Sequence, residues 1–287
     1  MDLKFITSQP TRDIIANISS ICQLPEKKTT KVDKEKKKKR KKEKAELLHY
    51  NRPYFDLLED QFFLKKKKKK EKELIFFVIF CFKDIFVAGT DTSAAATVWA
   101  MTALIKNPDA MKKLQNEIRE TIGNKGFVNE NDVPKLPYLK AVIQETLRLY
   151  PPAPLLLPRE TLEECIVEGY TIPPKTLVHI NAWAIARDPQ SWENANEFLP
   201  ERFLNSSIDV IGKDFEVIPF GAGRRGCPGV SIGLATVDMA LANLVYSFDW
   251  ELPKGVSKED IDTDVLPGIT MHKKNPLCLS PRNYVFA

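Results

Sequence analysis

The chain has 287 residues, of which 43% are apolar and 28% are charged, and this composition is typical of a globular protein with a substantial core. Its net charge of +5 is unevenly placed, because residues 27–74 hold 20 Lys and Arg against 9 Asp and Glu, while the rest is mildly acidic. The globular part is therefore not basic, and its charge gives no argument for nucleic-acid binding. The five cysteines form no CxxC pair, which argues against a disulfide framework or a zinc site and is typical of reduced, intracellular thiols.

The first 74 residues have the composition of a solvated segment. The runs KKKKRKKEK, within residues 27–46, and KKKKKK, at residues 65–70, are self-repelling and bury little apolar area. We therefore predict a Lys-rich, disordered or foreign segment at residues 1–74 and a folded part at residues 75–287. Three interpretations of the Lys-rich segment stay open: a linker without function, a polyanion-binding or nuclear-targeting patch, and translated non-coding DNA.

The apolar run LIFFVIFCF, residues 74–82, follows the second lysine run directly. Nine residues in a helix extend about 14 Å, which is less than half of the roughly 30 Å hydrocarbon core of a bilayer. A membrane span is therefore not expected there. The residues after Met1 also lack the pattern of a signal peptide.

The next part of the chain predicts helices with clear start and stop signals. DIFVAGTDTSAAATVWAMTALIKN predicts a long helix that ends before Pro108. Asn107 and Pro108 are typical of the N-cap and first position of a second helix, which ends near Gly123. A third helix is predicted to begin at Pro137 and to end at Tyr150, because two prolines follow.

The C-terminal part combines short strands with one last helix. CIVEGYTIPPKTLVHINAWAIA alternates and contains turn residues, so it predicts short strands. Cys227 and Pro228 are expected to open the last helix, VSIGLATVDMALANLVYSF. The expected fold class is therefore mainly α with a small β-sheet.

The stretch PFGAGRRGCPG, residues 219–229, surrounds one thiol with glycines and positive charge. Arg224 and Arg225 precede Cys227, and a helix N-terminus is expected beside it; both features favour the thiolate. A thiolate there is a nucleophile or a metal ligand, and no histidine has a recognisable catalytic neighbourhood in the sequence. One thiolate bound to a porphyrin iron fits best, with a glycine-rich loop around a structural cysteine as the alternative.

Three further motifs bring charged or polar residues together. ETLR places Glu145 and Arg148 on one helix face, and PERF offers Arg202 as a second arginine for a Glu–Arg–Arg network. AGTDTS puts Asp91 beside Thr92 in an otherwise apolar helix. Each alone has an ordinary explanation, because exposed ion pairs are weak and helical threonines commonly donate to the carbonyl one turn earlier.

Together and in this order, the stretches resemble the cytochrome P-450 family of haem-thiolate monooxygenases, and most of all its microsomal plant members. The cysteine loop matches the family pattern FxxGxRxCxG at Phe220, Gly223, Arg225, Cys227 and Gly229. ETLR looks like the family's ExxR, PERF like the third member of that network, and AGTDTS like its oxygen-binding helix motif. RLYPPAPLLLPRE and FLPERF are similar to whole phrases of the plant branch. The resemblance covers about residues 83–279.

The resemblance implies roles for the residues on the cysteine side of a haem. Cys227 would be the axial ligand of the iron. Phe220 and Gly221 would lie close to the ring near the sulfur. Arg225 and Arg159 would bind the haem propionates.

The resemblance also implies roles on the opposite side of the haem and around it. Thr92 and Asp91 would form the catalytic pair that hydrogen-bonds iron-bound dioxygen and relays protons to it. Ala88 and Gly89 would let the helix lie close to the porphyrin. The remaining implied residues are Glu145, Arg148 and Arg202 in a structural charge network, and Leu155, Leu156, Leu157, Leu266 and Ile269 in the substrate pocket.

The implied cofactor is haem b, and the implied reaction inserts one atom of O2 into a small apolar organic substrate with electrons from an NADPH-dependent cytochrome P-450 reductase. The implied location is the cytosolic face of the endoplasmic reticulum, with membrane association only if an N-terminal anchor exists. No nucleic-acid partner is expected. Because nothing before Lys83 resembles the N-terminal half of the family, we expect a truncated cytochrome P-450-like fold. An inactive fragment or gene-model product is one alternative, and a polyanion-binding protein is another.

Overall fold

The computed structural model describes residues 69–286, with side chains from residue 75 onward. Nearly all of the Lys-rich segment predicted at residues 1–74 therefore lies outside the described residues. The described part divides into two compact units, one that ends at Val87 and one that begins at Ala88. The motifs discussed above all lie in the unit from Ala88 onward.

Most helix ends lie close to the residues that the sequence predicts, but α1 begins at Lys69 and not at Asp84, because the apolar run at residues 74–82 continues the same helix. Asn107 is the N-cap of the second helix, Gly123 is its C-cap with φ +59, and Tyr150 is the C-cap of the third. A short fourth helix, which the alternating pattern did not predict, is capped by Asn181, whose side chain accepts a hydrogen bond from the amide of Ala184. The helices described are α1 Lys69–Lys106, α2 Pro108–Ile122, α3 Pro137–Leu149, α4 Ala182–Ile185 and α5 Val230–Ser247.

The strands form three two-stranded antiparallel sheets within residues 69–286, where a small β-sheet was expected. In the β2–β3 hairpin both turn residues, Glu168 and Gly169, have positive φ, as a tight two-residue turn requires. The strands are β1 Arg159–Glu160, β2 Cys165–Val167, β3 Tyr170–Ile172, β4 Leu177–Val178, β5 Phe248–Glu251 and β6 Ser280–Asn283, paired as β1–β4, β2–β3 and β5–β6.

One apolar core joins the C-terminal part of α1 with α2, α3 and α5. Its fully buried side chains recur at helical spacing, as in Leu139, Val142 and Ile143 of α3, so burial of one apolar stripe positions each helix. Arg119 of α2 fastens the end of α5, because its guanidinium donates to the carbonyls of Val245 and Phe248 at 3.1 Å each. Within the described residues, α5 is the helix whose length and composition would suffice to cross a membrane, although its inner face packs in this core.

The last helix begins later than predicted. α5 starts at Val230, with Gly229 as its N-cap, so Cys227 lies in the turn before the helix and not at its first residue. The physical reason is a hydrogen bond: the amide of Cys227 donates to the carbonyl of Phe220, which holds the backbone in the loop. The first helical hydrogen bond runs from Gly233 to Gly229 at 2.8 Å.

Candidate active site

The cysteine loop, residues 219–229, is a tight turn that presents an exposed thiol. The amide of Cys227 donates to the carbonyl oxygen of Phe220 at 2.9 Å, which closes the loop. Gly221 and Gly223 have φ of +69° and +72°, a backbone conformation that favours glycine. Cys227 itself is exposed to solvent. The loop therefore combines a backbone fixed by glycine with a thiol that a ligand can reach.

A neighbouring segment supports this loop from behind. A Cβ built on Gly212, whose φ is +91°, would lie 2.6 Å from the carbonyl oxygen of Gly221. The two backbones therefore approach each other at a distance that excludes a side chain at position 212. Sequence reasoning missed Gly212, because it lies outside the motif and its partner is a backbone atom that no pattern displays.

Arg159 and Arg225, the two expected propionate partners, lie side by side. Arg159 is the first residue of β1 and pairs with Val178 of β4. Its Nη2 donates to the backbone carbonyl of Arg225 at 3.1 Å. Arg159 is half-buried and Arg225 is exposed, so the guanidinium of Arg159 is held against the backbone of the cysteine loop, and the side chain of Arg225 is open to solvent.

The AGTDTS motif lies within α1. The hydroxyl of Thr92 donates to the carbonyl of Ala88 at 2.7 Å, which is the ordinary helical contact named above as an alternative. Ala88 and Gly89 are exposed, and a Cβ built on Gly89 would meet no other atom within 4 Å. Open space therefore adjoins the helix at the position where the resemblance places a flat ligand.

Asp91 has a partner that the sequence did not suggest. Nε2 of His272 lies 3.1 Å from one carboxylate oxygen of Asp91 and 3.2 Å from the other. Sequence reasoning set His272 aside, because 181 positions separate the two residues and no motif joins them. Only the fold brings the imidazole to the acid.

The buried charge network forms around Glu145. Its carboxylate accepts from Nε and Nη2 of Arg148 at 2.7 and 2.8 Å, and both side chains are fully buried. Nε of Arg202 lies 3.2 Å from the same carboxylate, which also accepts from the amide of Leu199 at 2.9 Å. The structure therefore brings all three expected members of the network together.

Backbone carbonyls complete this network. Nη1 of Arg148 donates to the carbonyls of Ala186 and Ala195 at 2.7 Å each, and its guanidinium carbon lies 5.1 Å from the ring centre of Trp192. Burial, and after it the positive charge of Arg148, lowers the pKa of the neighbouring Arg187 to about 10. The three guanidinium nitrogens of Arg148 all donate hydrogen bonds, as a buried charge requires.

The expected pocket residues fall into two groups. Leu155, Leu157, Leu266 and Ile269 are all exposed, with Leu157 at 64% and Ile269 at 69%. Leu156 differs from its neighbours: its φ is +50°, and it packs against the small buried cluster of Ala182 and Ile218. The two flanking leucines therefore present apolar surface, while Leu156 anchors the segment between them.

The donor set fits a haem. A group of three or more His, Cys, Asp and Glu residues that could hold a metal ion is absent from residues 69–286. A haem iron takes four ligands from the porphyrin and can accept one thiolate from the protein. An exposed Cys227 beside two arginines supplies that ligand together with partners for carboxylates.

Known proteins share these features. The sequence model of the family described as "Cytochrome P-450" matches residues 4–279, so the expectation that the resemblance begins at about Lys83 is wrong. The cytochrome P-450 71A1 of Persea americana is 56% identical over 202 residues, which are 70% of this chain and 40% of that protein. The 6,7,8-trihydroxycoumarin synthase of Pastinaca sativa is 53% identical over 209 residues, 71% of this chain and 42% of that protein.

A solved structure shows the same fold. A zebrafish cytochrome P-450, determined with abiraterone, superposes with a TM-score of 0.61 and 29% identity over 70% of this chain and 46% of that one. This chain belongs to the cytochrome P-450 family, whose cofactor is haem and whose members use O2, an organic substrate and a redox partner. It spans about 40% of the length of the curated relatives that it matches.

Proposed function

We propose that the chain is the haem-binding part of a monooxygenase that inserts one atom of O2 into a small apolar organic substrate. The observation that carries the proposal is the exposed Cys227 on a glycine-fixed turn, with Arg159 and Arg225 beside it. The 6,7,8-trihydroxycoumarin synthase of Pastinaca sativa, whose name describes an oxygenated product, supports the same class of reaction. Haem b, when bound, supplies activation of dioxygen and transfer of one oxygen atom.

The residues of the cysteine loop would hold the cofactor. Cys227 would give its thiolate to the iron, and the closed turn from Phe220 to Cys227 would fix the direction of the sulfur. Phe220 is half-buried against the core, and Gly221 next to it has the positive φ that the turn requires. Arg159 and Arg225 would pair with the propionate carboxylates of the cofactor.

The residues of α1 would have two roles: small side chains would leave space for the cofactor, and polar side chains would transfer protons. Ala88 and Gly89 would permit close approach of a flat ring, since neither carries a bulky side chain. The carboxyl of Asp91 and the hydroxyl of Thr92 can hold and pass a proton, which is the role of a general acid. The exposed leucines and Ile269 would face an apolar substrate.

The redox partner in this proposal is an NADPH-dependent cytochrome P-450 reductase at the cytosolic face of the endoplasmic reticulum. Membership of the family supports a redox partner in general, and the plant relatives support the location. The buried Glu145–Arg148–Arg202 network would be structural, because its donors and acceptors are already engaged within the protein.

The test is a spectrum of the reduced protein under carbon monoxide. We expect the full chain, expressed with haem supplied, to show the strongly red-shifted Soret band of thiolate ligation. Cys227→Ala should abolish the band, whereas Cys278→Ala, which removes another exposed cysteine, should keep it. A band that survives Cys227→Ala, or no haem uptake by the original chain, would refute the proposal.

A second reading, in which the chain binds haem without turnover, is favoured by a different observation. The expected pocket residues Leu155, Leu157, Leu266 and Ile269 are exposed to solvent, whereas a substrate site normally buries most of its ligand. Incubation with reductase, NADPH and a panel of small apolar substrates separates the two readings. An oxygenated product supports the monooxygenase, and a carbon monoxide band without product supports the inactive reading.

A further inference from the structure

We propose that His272 is the positioning residue of the Asp91 carboxylate, an inference that rests on the proposed function of the site. Nε2 of His272 lies 3.1 and 3.2 Å from the two oxygens of Asp91, so it is centred on the carboxylate. Because a carboxylate without a proton can only accept hydrogen bonds, the proposal assigns the ring proton of His272 to Nε2. The imidazole thereby donates to the acid that precedes Thr92.

The backbone beside His272 is held rigidly, which distinguishes the pair from a chance surface contact. The amide of Met271 donates to the carbonyl of Pro152 at 2.8 Å, and the indole of Trp99 donates to the carbonyl of Met271 at 2.7 Å. Met271 is 6% exposed, and the amide of Leu266 donates to the carbonyl of His272 at 2.9 Å. Hydrogen bonds to the backbone of Met271 and His272 therefore fix the point from which the imidazole side chain extends.

Trp99 connects this anchor to the helix that carries Asp91. It lies in α1, is fully buried, and stacks on Tyr150 with ring centres 4.5 Å apart. One rigid helix thus holds both the carboxylate and the indole that fixes the backbone next to His272. The side chains of His272 and Asp91 are 39% and 44% exposed, but both are short and both start from backbone that the fold holds, unlike the long, mobile side chains of most exposed ion pairs.

The consequence concerns the direction of the Asp91 side chain. The hydroxyl of Thr92 is oriented by its own helix, because it donates to the carbonyl of Ala88. A carboxylate cannot donate to a helix carbonyl, so Asp91 needs a donor from another part of the chain. His272 supplies that donor. Its loss would leave the carboxylate able to rotate into water, so proton delivery at Thr92 would fail more often while the fold stayed intact.

The first test needs no haem. In the full chain labelled with 15N-histidine, a long-range proton–nitrogen spectrum reports which ring nitrogen of each histidine carries the proton, and His49→Gln, His179→Gln and His272→Gln assign the signals. We expect a protonated Nε2 in His272 and a clear shift of its resonance in Asp91→Asn. Asp84→Asn, which alters another aspartate of α1, should leave it in place. An unchanged resonance in Asp91→Asn would refute the contact.

The second test uses the haem-loaded chain with reductase. We expect His272→Phe to raise the amount of peroxide released per NADPH oxidised severalfold, because a misdirected Asp91 carboxyl delivers protons less efficiently. His272→Gln, whose amide can donate from nearly the position of Nε2, should restore the original ratio, and His179→Gln should not change it. An unchanged ratio in His272→Phe, with the carbon monoxide band present, would overturn the positioning role alone. Absence of that band in the original chain would overturn the proposed function and this role with it, while the nitrogen spectrum would still report the contact.

Discussion

The Glu145–Arg148–Arg202 network and the cysteine loop are both formed by sequence motifs, yet their surroundings are opposite. Glu145 and Arg148 are fully buried, and carbonyls and amides of the protein satisfy them. Arg225 and Cys227 are exposed, and their side chains point to surface. The comparison teaches that the first motif is satisfied within the protein, while the second presents groups that a ligand can reach.

The network should give the largest effect on stability. Arg148→Ala leaves the carboxylate of Glu145 buried without its bidentate partner, and we expect a loss of about 3–5 kcal/mol in the free energy of unfolding. Urea denaturation of the haem-free chain measures it. Lys274→Ala breaks an exposed ion pair with Asp264 and should cost less than about 1 kcal/mol. Equal losses in the two variants would contradict the distinction between the buried and the exposed region.

The backbone of the cysteine loop should be the next most sensitive. Gly212→Ala forces a Cβ against the carbonyl of Gly221 in addition to a positive φ, and we expect a loss of about 2–3 kcal/mol. Gly126→Ala is the matched control, because its φ of +93° is nearly the same and a Cβ there meets nothing within 4 Å. It should cost about 1 kcal/mol. Thermal denaturation compares them, and similar losses would show that the close approach is unimportant.

Asp238 of α5 offers a smaller effect that depends on pH. Burial raises its pKa from 3.8 to about 6, so the folded state favours the neutral carboxyl. Its contribution to stability is present below the ordinary pKa and is lost as the pH rises through about 6. Asp238→Asn should therefore be more stable than the original chain by about 1 kcal/mol at pH 7.5, with allowance for partial exposure, and equal to it at pH 4. A difference that does not vary with pH would contradict this.

Cys227 should give the smallest effect without haem and a decisive one with it. Cys227→Ala removes an exposed side chain and should change the stability of the haem-free chain by less than about 0.5 kcal/mol. Added haem should raise the melting temperature of the original chain, because a ligand of the folded state stabilises it, and should raise that of the variant less. A large loss in the haem-free variant would mean that the thiol is part of the core.

The fold class and the helix ends were predictable because they depend on local signals. Asn107, Gly123 and Tyr150 lie at the ends of helices where capping residues and prolines predict them. Pro228 was expected to open α5, but the helix starts two positions later, at Val230, since the hydrogen bond from Cys227 to Phe220 closes a loop that composition does not reveal. The three separate sheets also depend on pairings between distant residues, such as Arg159 with Val178.

The site was predictable where its residues stand in contiguous motifs and not where it depends on distant contacts. The sequence alone determined the family, the position of Cys227 in a glycine loop and the membership of the Glu145–Arg148–Arg202 network, because these follow from residue types at fixed spacing. Tertiary structure alone decided that Gly212 meets Gly221 and that His272 reaches Asp91. The physical reason is that packing of the helices brings together atoms whose separation along the chain leaves no local pattern.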